Sequence, residues 1–241
     1  MLSSEESSEI SPTHALRTAL RLGESVLILG EVRGEEVKVL FESMRVGAAG
    51  NLIMGTIHGS TTQDVYERIV YDIGVSPSSF KAVEAVVIIA PIRKEGGFEK
   101  QRRVIQISET KKQGFIGSVD PDHLFSDLMM YETARDVIHP SDSLMMGQSE
   151  LLQSIAKKWG VTIEKLLENI EVRAWMKQQL VNGSETIPEL LEAPCVQDAN
   201  TMFWMLLEQT KKNQQSVNLS SVKSQWKDWF EEYKKTRYHE C

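Results

Sequence analysis

Two short apolar runs, at 25–30 (SVLILG) and 51–57 (NLIMGTI), flank a segment whose apolar residues recur with helical spacing. Val37, Leu40, Phe41 and Met44 fall at i, i+3, i+4 and i+7, the buried face of a helix over 35–48. Strand, helix, strand in that order is a βαβ unit, so the two strands run parallel with a right-handed crossover. Their carboxyl ends then open onto one edge of the sheet, where open α/β sheets bind ligands. Each run is followed by a residue fit for proton or phosphate chemistry, Glu31 after the first and His58 after the second. A carboxylate and an imidazole are thereby expected to face one crevice.

A chain of 241 residues can bury one sizeable core and carry a smaller appended unit. Its net charge of −7 argues against a general nucleic-acid binder, whose mark is a basic excess. Arg93, Lys94, Lys100, Arg102, Arg103, Lys111 and Lys112 form a local basic exception, which reads as the solvated rim of a hairpin. Two cysteines, Cys195 and Cys241, have neither metal-like spacing nor a disulfide framework, which fits a reducing cytoplasm. The start is acidic and has no apolar core of a signal peptide. The longest apolar stretch, 85–90, is too short to span a bilayer and is expected to be a buried strand ending at Pro91. Any membrane link is expected through a partner.

Residues 1–10 read as a flexible polar start, followed by a helix opened by Ser11-Pro12 and stopped near Gly23. Val65, Tyr66, Ile69, Val70 and Ile73 trace a further helix face, closed by Gly74 and Pro77. The alternation at 103–108 predicts a strand on the sheet flank, joined to the preceding one by a hairpin at Gly96-Gly97. Beyond a further strand at 113–119 the pattern turns helical. Leu151, Leu152, Ile155 and Trp159 make one face, and Ile163, Leu166, Leu167 and Ile170 a second. Ala199, Met202, Phe203 and Leu206 make a third, and Val222, Trp226, Trp229, Phe230 and Tyr233 a fourth. Such stripes are packing surfaces before they are ligand sites.

Glu31 at a strand end suits a nucleotide-hydrolysing enzyme, where a carboxylate accepts the attacking water's proton or holds a metal-bound water. The bland alternative is a surface acid at the start of the next helix. His58 lies among Thr56, Gly59, Ser60 and Thr61, a small, polar, open loop from which an imidazole can read a terminal phosphate. A lone histidine is more often structural. Arg33 and Arg68 are cations within reach of the same rim, and Arg17 and Arg21 share one face of the first helix.

The string at 30–36, Gly-Glu-Val-Arg-Gly-Glu-Glu, resembles the atypical Walker B motif of the type II/type IV secretion ATPases, particularly their archaeal pilus and secretion branch. The run from Thr56 through His58 to Thr62, Asp64 and Arg68 resembles that family's His box. The segment 15–21 is similar to its arginine-bearing helix, and 149–173 to its helical C-terminal subdomain; the resemblance covers roughly 10–205. It implies an α/β fold: the C-terminal portion of a RecA-like P-loop NTPase core over 11–112, then a mostly helical subdomain over 113–241. It also implies a hexameric motor that couples ATP hydrolysis with Mg2+ to pilin assembly or protein secretion. Its partners would be copies of itself and an integral membrane platform protein, with no nucleic acid, at the cytoplasmic face of the membrane. Under the resemblance Glu31 is the catalytic base, touching Mg2+ through water, and His58 the γ-phosphate sensor. Gly30, Arg33, Thr56 and Arg68 would line the nucleotide site, with Arg17 and Arg21 as interface cations.

One departure is large. No G-x-x-x-x-G-K-[ST] string occurs, nor any Gly-Lys pair, so the amides, lysine and hydroxyl that cradle phosphates and Mg2+ are missing. The chain reads as the half of a motor domain that follows this loop, expected to be inactive alone and to expose an apolar sheet edge. The upstream half could come from a separate chain, the gene could be a disrupted fragment, or the chain could serve as a non-catalytic ring component. Two functional expectations stand: part of an ATPase completed in trans, or a binding and assembly module.

Overall fold

The computed structural model describes residues 11–21, 26–45, 52–112, 123–214 and 217–238, which form two compact units dividing between Ser154 and Ile155. The fold is mixed α/β, with a parallel pair of strands and a separate antiparallel sheet.

The first unit opens with α1 (Pro12–Arg21), capped by Ser11, whose carbonyl accepts from the His14 and Ala15 N–H groups at 2.9 and 3.0 Å. Then come β1 (Leu27–Leu29), α2 (Glu36–Arg45) and β2 (Ile53–Gly55). β1 and β2 pair in parallel, Leu27 to Ile53 and Leu29 to Gly55, as the βαβ pattern predicts, though each is shorter than its apolar run. Val37, Leu40 and Phe41 of α2 are buried. α3 (Thr62–Glu67) continues into a π-helical turn, Arg68–Asp72, in which the Arg68 carbonyl accepts from the Ile73 N–H at 3.0 Å. Gly74 ends it at φ +80°, a conformation that side-chain-bearing residues rarely adopt. A short α4 (Pro77–Phe80) follows, capped by the Ser76 hydroxyl.

β3 (Ala85–Ile92), β4 (Gln101–Thr110), β5 (Phe125–Glu132) and β6 (Val137–Pro140) form the antiparallel sheet in that order. Three expectations change here. β3 is not a fully buried strand and does not stop at Pro91. It is an edge strand that alternates, with Val86 and Ile88 buried while Val87 and Ile89 are 50% and 61% exposed. An edge position tolerates the missing N–H of Pro91. β4 lies inside this second sheet, not on the flank of the parallel one. The stretch after 113, expected to be mostly helical, contains β5 and β6; the expected strand at 113–119 lies outside the described residues.

One core joins these elements: Val32, Val37, Phe41, Val65, Tyr66, Ile69, Phe80, Val86, Ile88 and Leu124 are all buried in it. The Phe80 ring meets Tyr66 edge-on at 5.0 Å and stacks with Phe41 at 6.2 Å. The opposite face of the parallel pair is bare, with Val26, Ile28, Leu52 and Met54 between 53% and 70% exposed. Parallel sheets are ordinarily covered on both faces.

The end of β4 is tied to α6 (Glu150–Trp159), which follows the short α5 (Asp142–Met145), by a buried carboxylate. Glu109 accepts from the Ser149 hydroxyl at 2.7 Å and from the N–H groups of Glu150 and Leu151 at 3.1 and 2.8 Å. A buried carboxyl group is thus satisfied by a hydroxyl and by the orphan amides of a helix start. Lys112 adds to the junction, its Nζ donating to the carbonyls of Lys81 and Val83 at 2.6 and 3.0 Å, and burial lowers its pKa.

Across the β5–β6 turn, Asp136 accepts from Arg103 Nε and Nη2 at 2.6 and 3.0 Å and from the Tyr131 hydroxyl at 2.7 Å. Those bonds, Arg103 foremost, hold the Asp136 carboxyl well below the usual carboxylate range. A folded pKa below the unfolded one stabilises above about pH 4 and is lost as acid protonates the folded carboxylate. The melting-temperature gap between wild type and Asp136→Asn is therefore expected at neutral pH and to shrink steadily below about pH 4. A gap independent of pH across an acid series contradicts this.

The second unit contains the second half of α6, then α7 (Ile163–Ser184), a 3-10 turn at Pro188–Leu191, α8 (Ala193–Gln214) and α9 (Leu219–Tyr238). Val172, Met176 and Leu180 of α7 meet Ala199, Phe203 and Leu206 of α8 and Val222, Trp226 and Phe230 of α9 in one core. The aromatic stripe is thus packing, as its spacing predicts. Among the described residues no helix is long and apolar enough to cross a membrane.

Candidate functional site

Parallel pairing continues past the strand ends. The Val32 N–H donates to the Thr56 carbonyl at 2.8 Å, the Thr56 N–H to the Leu29 carbonyl at 3.3 Å, and the Thr56 hydroxyl to the Gly30 carbonyl. These bonds hold the segments after β1 and β2 side by side, so Glu31 and His58 leave the sheet on the same lip. His58 Nε2 lies 3.5 Å from Glu31 Oε1, and Arg33 Nη1 lies 3.4 Å from Glu31 Oε2. Both separations exceed those of a good hydrogen bond. The carboxylate, 39% exposed, therefore keeps lone pairs for water, and the imidazole, 80% exposed, keeps Nε2 for an incoming group.

The loop after β2 is fixed by local chemistry. Asp64 accepts from the N–H groups of Ser60 and Thr61 at 2.8 and 3.1 Å, and its own N–H donates to the Thr61 hydroxyl at 3.0 Å, a capping box for α3. The Ser60 amide, and then the Thr61 hydroxyl, lower the Asp64 pKa. Gly59 crosses so close to α3 that a Cβ there would lie 2.9 Å from a Val65 methyl. Arg68 Nη1 donates to the His58 carbonyl at 3.4 Å, tying the first residue of the π turn to the His loop. Single π turns inside helices recur at functional sites.

Arg33 and Arg68 also line an open groove of about 370 Å³ with Gly34, Glu35, Lys38, Asp72 and Ile73. The structure thus gathers Gly30, Glu31, Arg33, Thr56, His58 and Arg68. It does not bring in Arg17 and Arg21: both are exposed on α1, and no hydrogen bond or ion pair among the described residues joins them to the cluster. Sequence reasoning missed Lys38 and Asp72. Lys38 was findable as the polar face of α2, three residues after Glu35, from whose carboxylate its Nζ lies 3.8 Å. The approach of Asp72 has no sequence signal.

Arg33, Lys38 and Arg68 share this groove with the carboxylates of Glu35 and Asp72, and beside Glu31 and His58 they offer donors that can pair with an anionic group such as a phosphate. Among the described residues no group of three or more His, Cys, Asp or Glu could hold a metal ion. A lone Glu31 carboxylate fits Mg2+ only in its usual nucleotide-bound form, where phosphates and waters supply the other positions.

No protein-family model matches the chain. It is similar to an uncharacterized protein of Methanocaldococcus jannaschii, 26% identical over 193 residues, covering 79% of this chain and 66% of that protein. The chain thus spans just under two thirds of that relative's length.

Proposed function

We propose that this chain is the C-terminal part of a RecA-like motor domain of the type II/type IV secretion and pilus-assembly ATPase kind, supplying the hydrolytic half of an ATP site. The observation that carries this reading is the parallel pairing of β1 with β2, which leaves Glu31 and His58 3.5 Å apart on one lip. In this reading Glu31 takes the proton of the attacking water as general base. His58 Nε2 donates to a terminal phosphate oxygen, while Arg33, Arg68 and Lys38 offset the charge that builds there. Mg2+, bound with the triphosphate, neutralises phosphate oxygens. The phosphate-cradling loop comes from polypeptide outside this sequence, and the bare apolar face of the parallel pair gives that polypeptide somewhere to pack. A hexameric ring working against a membrane platform protein at the cytoplasmic face belongs to the same proposal.

A second reading, an assembly module without hydrolysis, is favoured by the missing phosphate cradle. The purified chain is expected to release no phosphate from ATP under either reading. Joined to a polypeptide bearing a G-x-x-x-x-G-K-[ST] loop, it is expected to bind a fluorescent ATP analogue and hydrolyse ATP. Absence of both activities in every such complex overturns the motor reading, and steady release by the chain alone overturns the half-site.

A further inference from the structure

The β3–β4 hairpin, which the nucleotide site does not use, ends in a tip unlike the rest of the surface. Phe98 is fully exposed, whereas every other described phenylalanine is buried or half-buried. Glu95 at φ 52° and Gly96 at φ 72° make the tight turn that precedes Phe98. Arg93, Lys94, Lys100 and Arg102 flank it, all exposed and, among the described residues, in no salt bridge. Arg103, the next cation, is committed to Asp136. Glu95 and Glu99 within the hairpin oppose those four cations, and Asp136, already held by Arg103, also attracts Lys94, so the tip keeps a basic excess in a chain of net charge −7. The outward side chains of β3 extend the apolar surface, Val87 and Ile89 at 50% and 61% exposure followed by exposed Pro91, with Val104 paired opposite Ile89.

We propose that this hairpin docks on an anionic lipid bilayer, Phe98 entering the headgroup boundary while Arg93, Lys94, Lys100 and Arg102 meet lipid phosphates. An aromatic side chain ringed by cations is the chemistry of a bilayer interface. Phe98 is the single exposed ring of the hairpin, and the outward residues of β3 are aliphatic or prolyl, so successive bases would find no row of rings to stack on, which disfavours a nucleic acid. A ten-residue tip is also at most about half of the roughly 20–30 residues that each side brings to a stable protein interface. The proposal stands independently of the nucleotide reading.

The test is co-sedimentation of the full chain with vesicles of phosphatidylcholine, alone or mixed with phosphatidylglycerol. Binding is expected only to the anionic vesicles and to weaken with added salt. Phe98→Ala is expected to lower partitioning about tenfold, and Lys94→Glu with Lys100→Glu at least about twentyfold, at roughly fivefold or more per cation. All three positions are exposed, so melting temperatures should match wild type. Three results overturn the proposal: no binding to anionic vesicles, equal binding to neutral ones, or indifference to Phe98→Ala. Equal binding to heparin or single-stranded DNA that ignores Phe98 but needs the lysines also overturns it, assigning the tip to polyanions in general.

Discussion

Glu31→Gln is expected to lower phosphate release about 10²–10⁴-fold in the chain completed by a P-loop-bearing polypeptide, while leaving ATP binding near wild type. The amide keeps the size of the side chain and can still lie beside His58, but it cannot accept a proton from water. Its neighbours give no reason for a folding defect, since both contacts of the carboxylate are long and partly exposed. Separation of binding from hydrolysis is therefore the signature to look for. Equal loss of both would make Glu31 a structural acid, and no loss of either would remove it from the chemistry.

Trp226→Ala is expected to destabilise the helical unit by about 3–5 kcal/mol, the usual cost of deleting a large buried aromatic. Trp226 is fully buried, stacks on Phe230 at 4.9 Å and meets Trp175 and Trp229 at 5.7 Å each. Its indole N–H donates to the Ala199 carbonyl at 3.0 Å, a bond that ties α9 to α8. Trp226→Phe keeps much of the packing and loses that bond, so a smaller cost of about 1–3 kcal/mol is expected. All five tryptophans of the chain lie after residue 154, so tryptophan fluorescence, excited selectively over tyrosine, follows this unit alone during urea unfolding. A midpoint shift equivalent to less than about 1 kcal/mol for the alanine variant contradicts the packing account.

The parts of this fold legible in sequence are those fixed by local chemistry. Helical spacing at Val37, Leu40 and Phe41 identified α2 and, with the runs on either side, the parallel pairing that sets Glu31 beside His58. Ser11-Pro12 and Gly74 mark helix ends because caps are made within a few residues. What was not legible depends on distant partners. In β5 a register shift at Leu128 puts Phe125 and Met130 on one face and Met129 and Tyr131 on the other, so both faces carry large apolar residues and period-two alternation is hidden. Pairing with β4 makes the strand. β3 looked buried because a run of aliphatic residues on an edge strand with an open face reads like a central strand. Glu109 gave no sign of burial, since its satisfaction comes from a hydroxyl and two amides 40 or more positions away. In the site, Lys38 and Asp72 join Arg33 and Arg68 only once α2 and the π turn have packed.

A double-mutant cycle on Glu31 and His58, read as single-turnover ATP hydrolysis by the completed motor, tests the shared site most directly. Glu31→Gln and His58→Ala are each expected to slow the step, His58→Ala by about 10²-fold. Groups acting on one phosphate transfer from 3.5 Å apart should couple, the double variant losing less than the product of the single losses by about 0.5–3 kcal/mol. Losses that multiply, with coupling inside about 0.3 kcal/mol, would mean that the two residues do not serve one reaction.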